Sequence, residues 1–298
     1  MNRRRFNRQV RATIKGWGFL SPWLIGFFAF TFVPIVLSLY YSLCHYSLLQ
    51  PPIYRGMDNY RRLSHDPVFW KVLGNTAIYA AFALPLGMIA ALGVAMLLNA
   101  KIRGVTLYRA IVFLPSLVPT VASAMLWLWL FNAKLGLINV CLRALGAVNA
   151  PGWLTDARWA MPALVLMSLW GIGNMVVIYL AGLQDVPREL YEAADIDGAS
   201  NFRKAWHVTL PVLSPVIFFN LIMGIIGTLQ VFATPFILTG GGPARSTYFF
   251  TMYLYDNAFS YLKMGYASAM AWVQLCIVLV LTALAAWSSK HWVHYQGR

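Results

Sequence analysis

The chain has 298 residues, of which 60% are hydrophobic and 11% charged, with a formal net charge of +14 and a mean hydropathy of +0.64. Soluble domains carry about 25% charged residues, so this composition excludes an ordinary water-soluble globule. Nor does the positive charge point to nucleic acid in so apolar a chain, where Lys and Arg hold topology against the cytoplasmic leaflet of a lipid bilayer.

Residues 1–16 form a basic segment with six Lys and Arg and no acid. A cleaved signal peptide would have a shorter apolar region ending in small residues, so an uncleaved first span is expected. A bilayer core takes roughly 20 apolar residues of helix. Six segments qualify, at about 17–44, 68–98, 105–131, 159–183, 209–239 and 266–289. They contain Pro34, Pro85, Pro115, Pro119, Pro162, Pro215 and Pro235, each of which removes a backbone donor. Lipid cannot replace that bond, so kinks and re-entrant stretches should face protein or a wet cavity.

The first external loop spans 45–67 and the second 133–158, with Gly136, Pro151, Gly152 and Trp153 as turn and interface residues. A third begins TGGGPARST at Thr239. With the N-terminus inside, cytoplasmic segments hold 14 Lys and Arg against 9 outside, so both termini, including a short tail at 291–298, are expected in the cytoplasm.

All nine acids lie outside the spans: Asp58, Asp66, Asp156 and Asp256 externally, and Asp185, Glu189, Glu192, Asp195 and Asp197 in one cytoplasmic loop. The carboxylate of a proton or cation relay is missing. Cys44, Cys141 and Cys276 form no CxxC, the histidines have no metal-ligand spacing, and no GxxxxGK[ST] is present. The chain is therefore expected to be non-catalytic, with no cofactor or metal of its own, and to draw energy from a partner.

The loop at 184–211 suggests where that partner docks. Residues 185–198, DVPRELYEAADIDG, hold five acids and one Arg. Asp185 can cap a helix, Pro187 suits its first turn and Gly198 can end it. A second short helix, FRKAWHV, would then lead to Leu210-Pro211. A helix lying on lipid wants Lys and Arg on its polar face, whereas an acidic helix with small Ala193 and Ala194 suits a protein groove.

A solute path needs small or polar residues on inward helix faces. Met167, Trp170, Gly171 and Asn174 recur at i, i+3, i+4 and i+7 in the fourth span, and Gly224, Gly227, Thr228 and Val231 repeat that spacing in the fifth. Asn174, Thr228 and Gln230 are favoured for the path because a lipid-facing amide is costly, although Gln230 lies beside the face. Gly224 and Gly227 suit close helix packing equally well.

Glu192-Ala193-Ala194, Gly198, Val208 and Leu210-Pro211 match the EAA–x3–G–x9–I–x–LP pattern, with Val for Ile. On these residues the chain resembles the membrane subunits of binding-protein-dependent ABC importers. GMDNY at 56–60, Asn75-Thr76, Tyr108-Arg109, Leu114-Pro115 and TGGGP at 239–243 extend the likeness over about 17–290, and TGGGP is similar to the maltose-type first permease subunit of carbohydrate importers. The resemblance implies an all-α membrane protein with six transmembrane helices in the maltose-transporter-like fold. It implies as partners a homologous second permease, a dimeric ATPase that binds ATP and Mg, an extracytoplasmic solute-binding protein and a sugar. It places Glu189, Glu192, Ala193, Ala194, Asp197 and Gly198 against the ATPase, and the inward faces of spans four and five on the sugar path. Import of a glycerol phosphate or another polar solute, or ion-coupled carriage, are the rival readings. The phosphate would want a cation on the path, where Arg109 near the cytoplasmic end is the clear candidate.

Overall fold

The computed structural model describes residues 3–100, 103–147 and 149–294. Residues 1–2 of the expected basic segment and 295–298 of the expected tail lie outside the described residues. The chain divides into two compact units, Met1–His65 with Tyr255–Val273, and Asp66–Leu254 with Gln274–Arg298.

In the first unit α1 (Arg3–Phe27) runs through a π-helical turn, Phe28–Phe32, into α2 (Val33–Ser42). From Trp17 through the π turn the described apolar side chains point outward, with Phe19 88% and Phe30 84% exposed, as a lipid-facing helix requires. The chain then departs from the all-helical expectation. Strands β1 (Cys44–Ser47) and β2 (Gln50–Tyr54) pair antiparallel, with a bulge between His45 and Ser47, and lead to α3 (Asp58–His65). Pro51 and Pro52 oppose helix here, and a two-stranded hairpin tolerates them at its edge. The buried Asn59 amide donates to the carbonyls of Ser42 and Cys44, both at 2.8 Å, and so satisfies acceptors freed where α2 ends. Gly56, at φ +59°, makes the turn into α3. That is the physical content of GMDNY.

The second unit opens with α4 (Pro67–Leu98), whose N-terminus is capped by Asp66 accepting from the Val68 amide at 2.8 Å. The third expected span is two helices, α5 (Val105–Leu117) and α6 (Thr120–Leu130), bent by 98°. Val118 precedes Pro119 and is pushed out of the helical region to ψ 128°. After α7 (Leu137–Ala144), the fourth span is α8 (Ala157–Trp170) and α9 (Gly173–Gln184), bent by 47°. Trp153, expected as an interface residue, packs on Phe131 and donates to Asn139 Oδ1 at 2.7 Å.

Helix α10 (Arg188–Ile196) follows, and α11 (Asn201–Lys204) continues through a π turn, Ala205–Thr209, into α12 (Leu210–Leu229). Two expectations are corrected here. Asp185 ends α9 rather than capping α10, whose N-cap is Pro187. The segment FRKAWHV is no separate helix, because Asn201–Leu229 is one continuous helix of 29 residues.

The fifth expected span, 209–239, is also interrupted: α12 ends at Leu229 and α13 (Ala233–Thr239) begins after a break. In an unbroken helix Pro235 would clash with the Val231 carbonyl, whereas the break places it in the first turn of α13, where no N–H is needed. Gln274 Nε2 donates to the freed Leu229 carbonyl at 2.8 Å. The loop after α13 is held by Asn75, which donates to the carbonyls of Arg245 and Tyr248 at 2.7 and 2.9 Å, and by Thr76, which accepts from the Phe250 amide at 2.9 Å. Helices α14 (Phe250–Tyr255) and α15 (Met264–Ser289) complete the chain.

Among the described residues, four helices are long and apolar enough to cross a membrane: Lys15–Ser42, Pro67–Leu98, Asn201–Leu229 and Met264–Ser289. The two bent pairs meet the same criterion when each is taken together.

Candidate functional site

The bend between α8 and α9 is made by glycine rather than by Pro162. A Cβ on Gly173 would lie 2.4 Å from Ser116 Oγ and 2.9 Å from the Val112 carbonyl, so only glycine lets α9 start against α5. The first amides of α9 carry no side-chain cap. Broken helices at membrane depth are tolerated where they line a cavity, and two cavities meet this break.

One cavity, of about 220 Å³, is lined by Met167, Trp170, Gly171 and Asn174 together with Ser116, Thr120, Ser123 and Thr234. The other, of about 380 Å³, is lined by Gly171, Asn174, Gly224 and Thr228 together with Leu84, Phe219, Asn220 and Met223. Tyr79, Ser168, Gly171 and Asn174 line both. The structure thus brings together Met167, Trp170, Gly171, Asn174, Gly224 and Thr228. Thr228 donates its hydroxyl to the Gly224 carbonyl at 2.7 Å and keeps oxygen lone pairs for the cavity.

Three expected path residues are not among the lining. Val231 follows the end of α12, leaves the helical face and packs against a core containing Tyr79, Trp127, Phe131 and Leu164. Gly227 and Gln230 are exposed, and a Cβ on Gly227 would touch nothing within 4 Å. The question of packing or clearance divides by residue: a Cβ on Gly224 would lie 2.1 Å from Leu84 Cδ1, so Gly224 serves close packing of α12 on α4. Arg109 lines neither cavity and donates to the Leu98 carbonyl at 3.1 Å, at the end of α4.

Sequence reasoning missed Ser168 and Asn220. Ser168 lies three residues before Gly171, and Asn220 four before Gly224, so helical spacing alone would have found both. Tyr79, Ser116, Thr120 and Ser123 come from other helices, and only packing brings them in.

The acidic helix α10 has two faces. Glu189, Glu192, Ala193 and Ile196 form an exposed stripe at helical spacing, with Ile196 88% exposed. Ala194 is half-buried, and Asp197 and Gly198 are exposed at the helix end. That end is a Schellman motif: the Gly198 amide donates to the Asp195 carbonyl at 3.1 Å and the Ala199 amide to that of Ala194 at 2.9 Å. Gly198 has φ +71°, which explains its spacing from the two alanines. On the inner face Lys204 pairs with Asp195, and the Tyr191 hydroxyl lies 2.9 Å from Thr209 Oγ1.

Residues 83–293 match the family described as the binding-protein-dependent transport system inner membrane component. The probable ABC transporter permease protein YesP of Bacillus subtilis (strain 168) is 37% identical over 98% of this chain and 96% of its own length. The lactose transport system permease protein LacF of Rhizobium radiobacter is 36% identical over 93% and 94%. A chain of the bacterial ABC transporter that imports the acidic polysaccharide alginate superposes with a TM-score of 0.83, at 22% identity, over 96% of this chain and 98% of that one.

Proposed function

The chain belongs to the family of binding-protein-dependent transport system inner membrane components, and on that premise we propose that it is a multi-pass permease subunit of an ATP-driven importer of a sugar or oligosaccharide. In this reading each bent helix pair is one crossing, six crossings leave both termini in the cytoplasm, and 45–67 and 240–265 face outside. A solute-binding protein delivers the sugar, a homologous permease completes the path, and an ATPase dimer that binds ATP and Mg supplies the energy.

One observation carries the reading. The continuous helix Asn201–Leu229 is tied to the acidic helix α10 at one end and lines the larger cavity through Gly224 and Thr228 at the other. A displacement of α10 by a closing ATPase would reach the cavity wall along one rigid element. Glu189, Glu192, Ala193, Ala194, Asp197 and Gly198 would form the contact. Asn174, Ser168, Asn220 and Thr228 offer hydrogen-bonding groups suited to sugar hydroxyls. No Lys or Arg lines either cavity among the described residues, which favours a neutral saccharide over a phosphate ester. The relative named for lactose transport supports the same class.

The test is uptake by cells carrying this permease with its partner subunits. Import of a labelled disaccharide should cease when the ATPase is inactivated, and should persist when the proton gradient is collapsed at maintained ATP. Uptake that follows the gradient would replace this reading with an ion-coupled carrier.

A further inference from the structure

The first unit holds a cleft to which the translocation path gives no role. Its volume is about 860 Å³, and it is lined by His45 of β1, Arg55, Met57, and Asp58, Arg61 and Arg62 around α3. Arg62 is ion-paired with Asp58 at 2.9 Å, whereas the guanidinium groups of Arg55 and Arg61 have no carboxylate partner among the described residues. With three arginines against one aspartate the lining is net positive.

The array is held in place. Asn59, beside Asp58, is anchored to the Ser42 and Cys44 carbonyls, and the Tyr60 hydroxyl donates to Ser42 Oγ at 2.9 Å. A Cβ on Gly265 would lie 2.1 Å from the Cys44 carbonyl oxygen, so the returning segment closes tightly on the hairpin. At the hairpin turn Leu49 is 83% exposed. Arginines carried on an anchored loop beside the exposed Met57 are the composition of a protein interface rather than of a saccharide site. No Phe, Tyr or Trp is among the lining residues to stack on a sugar ring, and the volume far exceeds the space of one phosphate group.

We propose that this cleft docks an acidic surface segment of the solute-binding protein, with Arg55 and Arg61 forking onto its carboxylates. The proposal rests on the importer reading, in which residues 45–67 face outside. Charge at such a contact acts chiefly on association and on its salt dependence.

The experiment uses the complete importer in nanodiscs of zwitterionic lipid. The probe is the purified, substrate-loaded solute-binding protein that supports uptake through this permease. Charge reversal by Arg55→Glu with Arg61→Glu should weaken binding about tenfold or more and flatten its salt dependence. Arg62→Gln, which removes an already paired charge, should change affinity by less than about twofold. ATP hydrolysis measured without the binding protein should be unchanged, which reports an intact assembly. Equal affinity of the doubly reversed importer and the wild type would overturn the proposal. So would a loss of binding accompanied by loss of that hydrolysis, which would mark a structural role. An arginine effect seen only with anionic lipid would assign the cleft to a headgroup. A wild-type importer that binds no solute-binding protein at all would instead bring down the importer reading.

Discussion

The Tyr191 hydroxyl and Thr209 Oγ1 lie 2.9 Å apart, joining the acidic helix α10 to the π turn from which α12 starts. Thr209 is buried, and its Oγ1 also lies 3.4 Å from the Lys204 carbonyl, so the contact is not a chance surface meeting. With the Asp195–Lys204 pair it ties α10 to the start of α12. Tyr191→Phe keeps the ring and removes the bond, at a cost of about 1 kcal/mol. Uptake should fall several-fold while ATP hydrolysis per imported sugar rises. A double-mutant cycle with Thr209→Val measures the shared term, and independent effects of the two substitutions would rule out the coupling.

The outer stripe of α10 yields a second expectation. Glu192→Lys reverses the charge at the proposed ATPase contact, where breaking a buried pair costs about 2–5 kcal/mol. Gly198→Val forces a β-branched residue to φ +71°, which strains the helix stop although the space around it is open. Both proteins should reach the membrane in normal amounts, since no span changes. Co-purification of the ATPase should drop for both. Normal transport with full ATPase retention by Glu192→Lys would leave the loop a solvated acidic turn.

Within the cavities, Asn174→Leu should raise the KM for sugar uptake, because its amide lines both spaces and sits where a helix is broken. Thr228→Val, isosteric in the larger cavity, should do so more weakly, since that hydroxyl already donates to Gly224. Gly227→Ala should have little effect on stability, as its Cβ meets nothing. Gly224→Ala should be destabilising by an amount set by how far Leu84 can move. Detergent melting curves separate these stability effects from uptake kinetics.

Asp156 permits a pH prediction. Its carboxyl is held below the usual carboxylate range, first by accepting the Arg158 amide, at 2.9 Å, and further by the Arg158 side chain. A lowered folded value means the cap stabilises the start of α8 above the ordinary carboxylate pKa and is lost as pH falls through the lowered value. Protection of the amides over 158–160, expressed relative to their intrinsic exchange at each pH, should therefore fall on acidification. Asp156→Asn should keep part of the cap and lose that pH dependence. Protection factors equally insensitive to pH in both proteins would show that the cap does not control the helix start.

What the sequence determined by itself was whatever local chemistry can specify. Apolar length marked the membrane-crossing segments, and the alanine–glycine spacing of the acidic loop is the spacing of a Schellman end. Those signals are legible because each acts within a few residues of chain. Tertiary structure decided the rest. The hairpin at 44–54 forms in a loop with little periodicity and is locked by Asn59 from α3. The break after Leu229 is stabilised by Gln274, 45 residues along the chain, and it removes Val231 from a face that an uninterrupted helix would have given it. Tyr79 joins Asn174 at the cavities because α4 packs beside α8 and α9, a contact no helical period encodes. Helical spacing says which residues share a face, but which faces meet depends on packing between helices far apart in sequence.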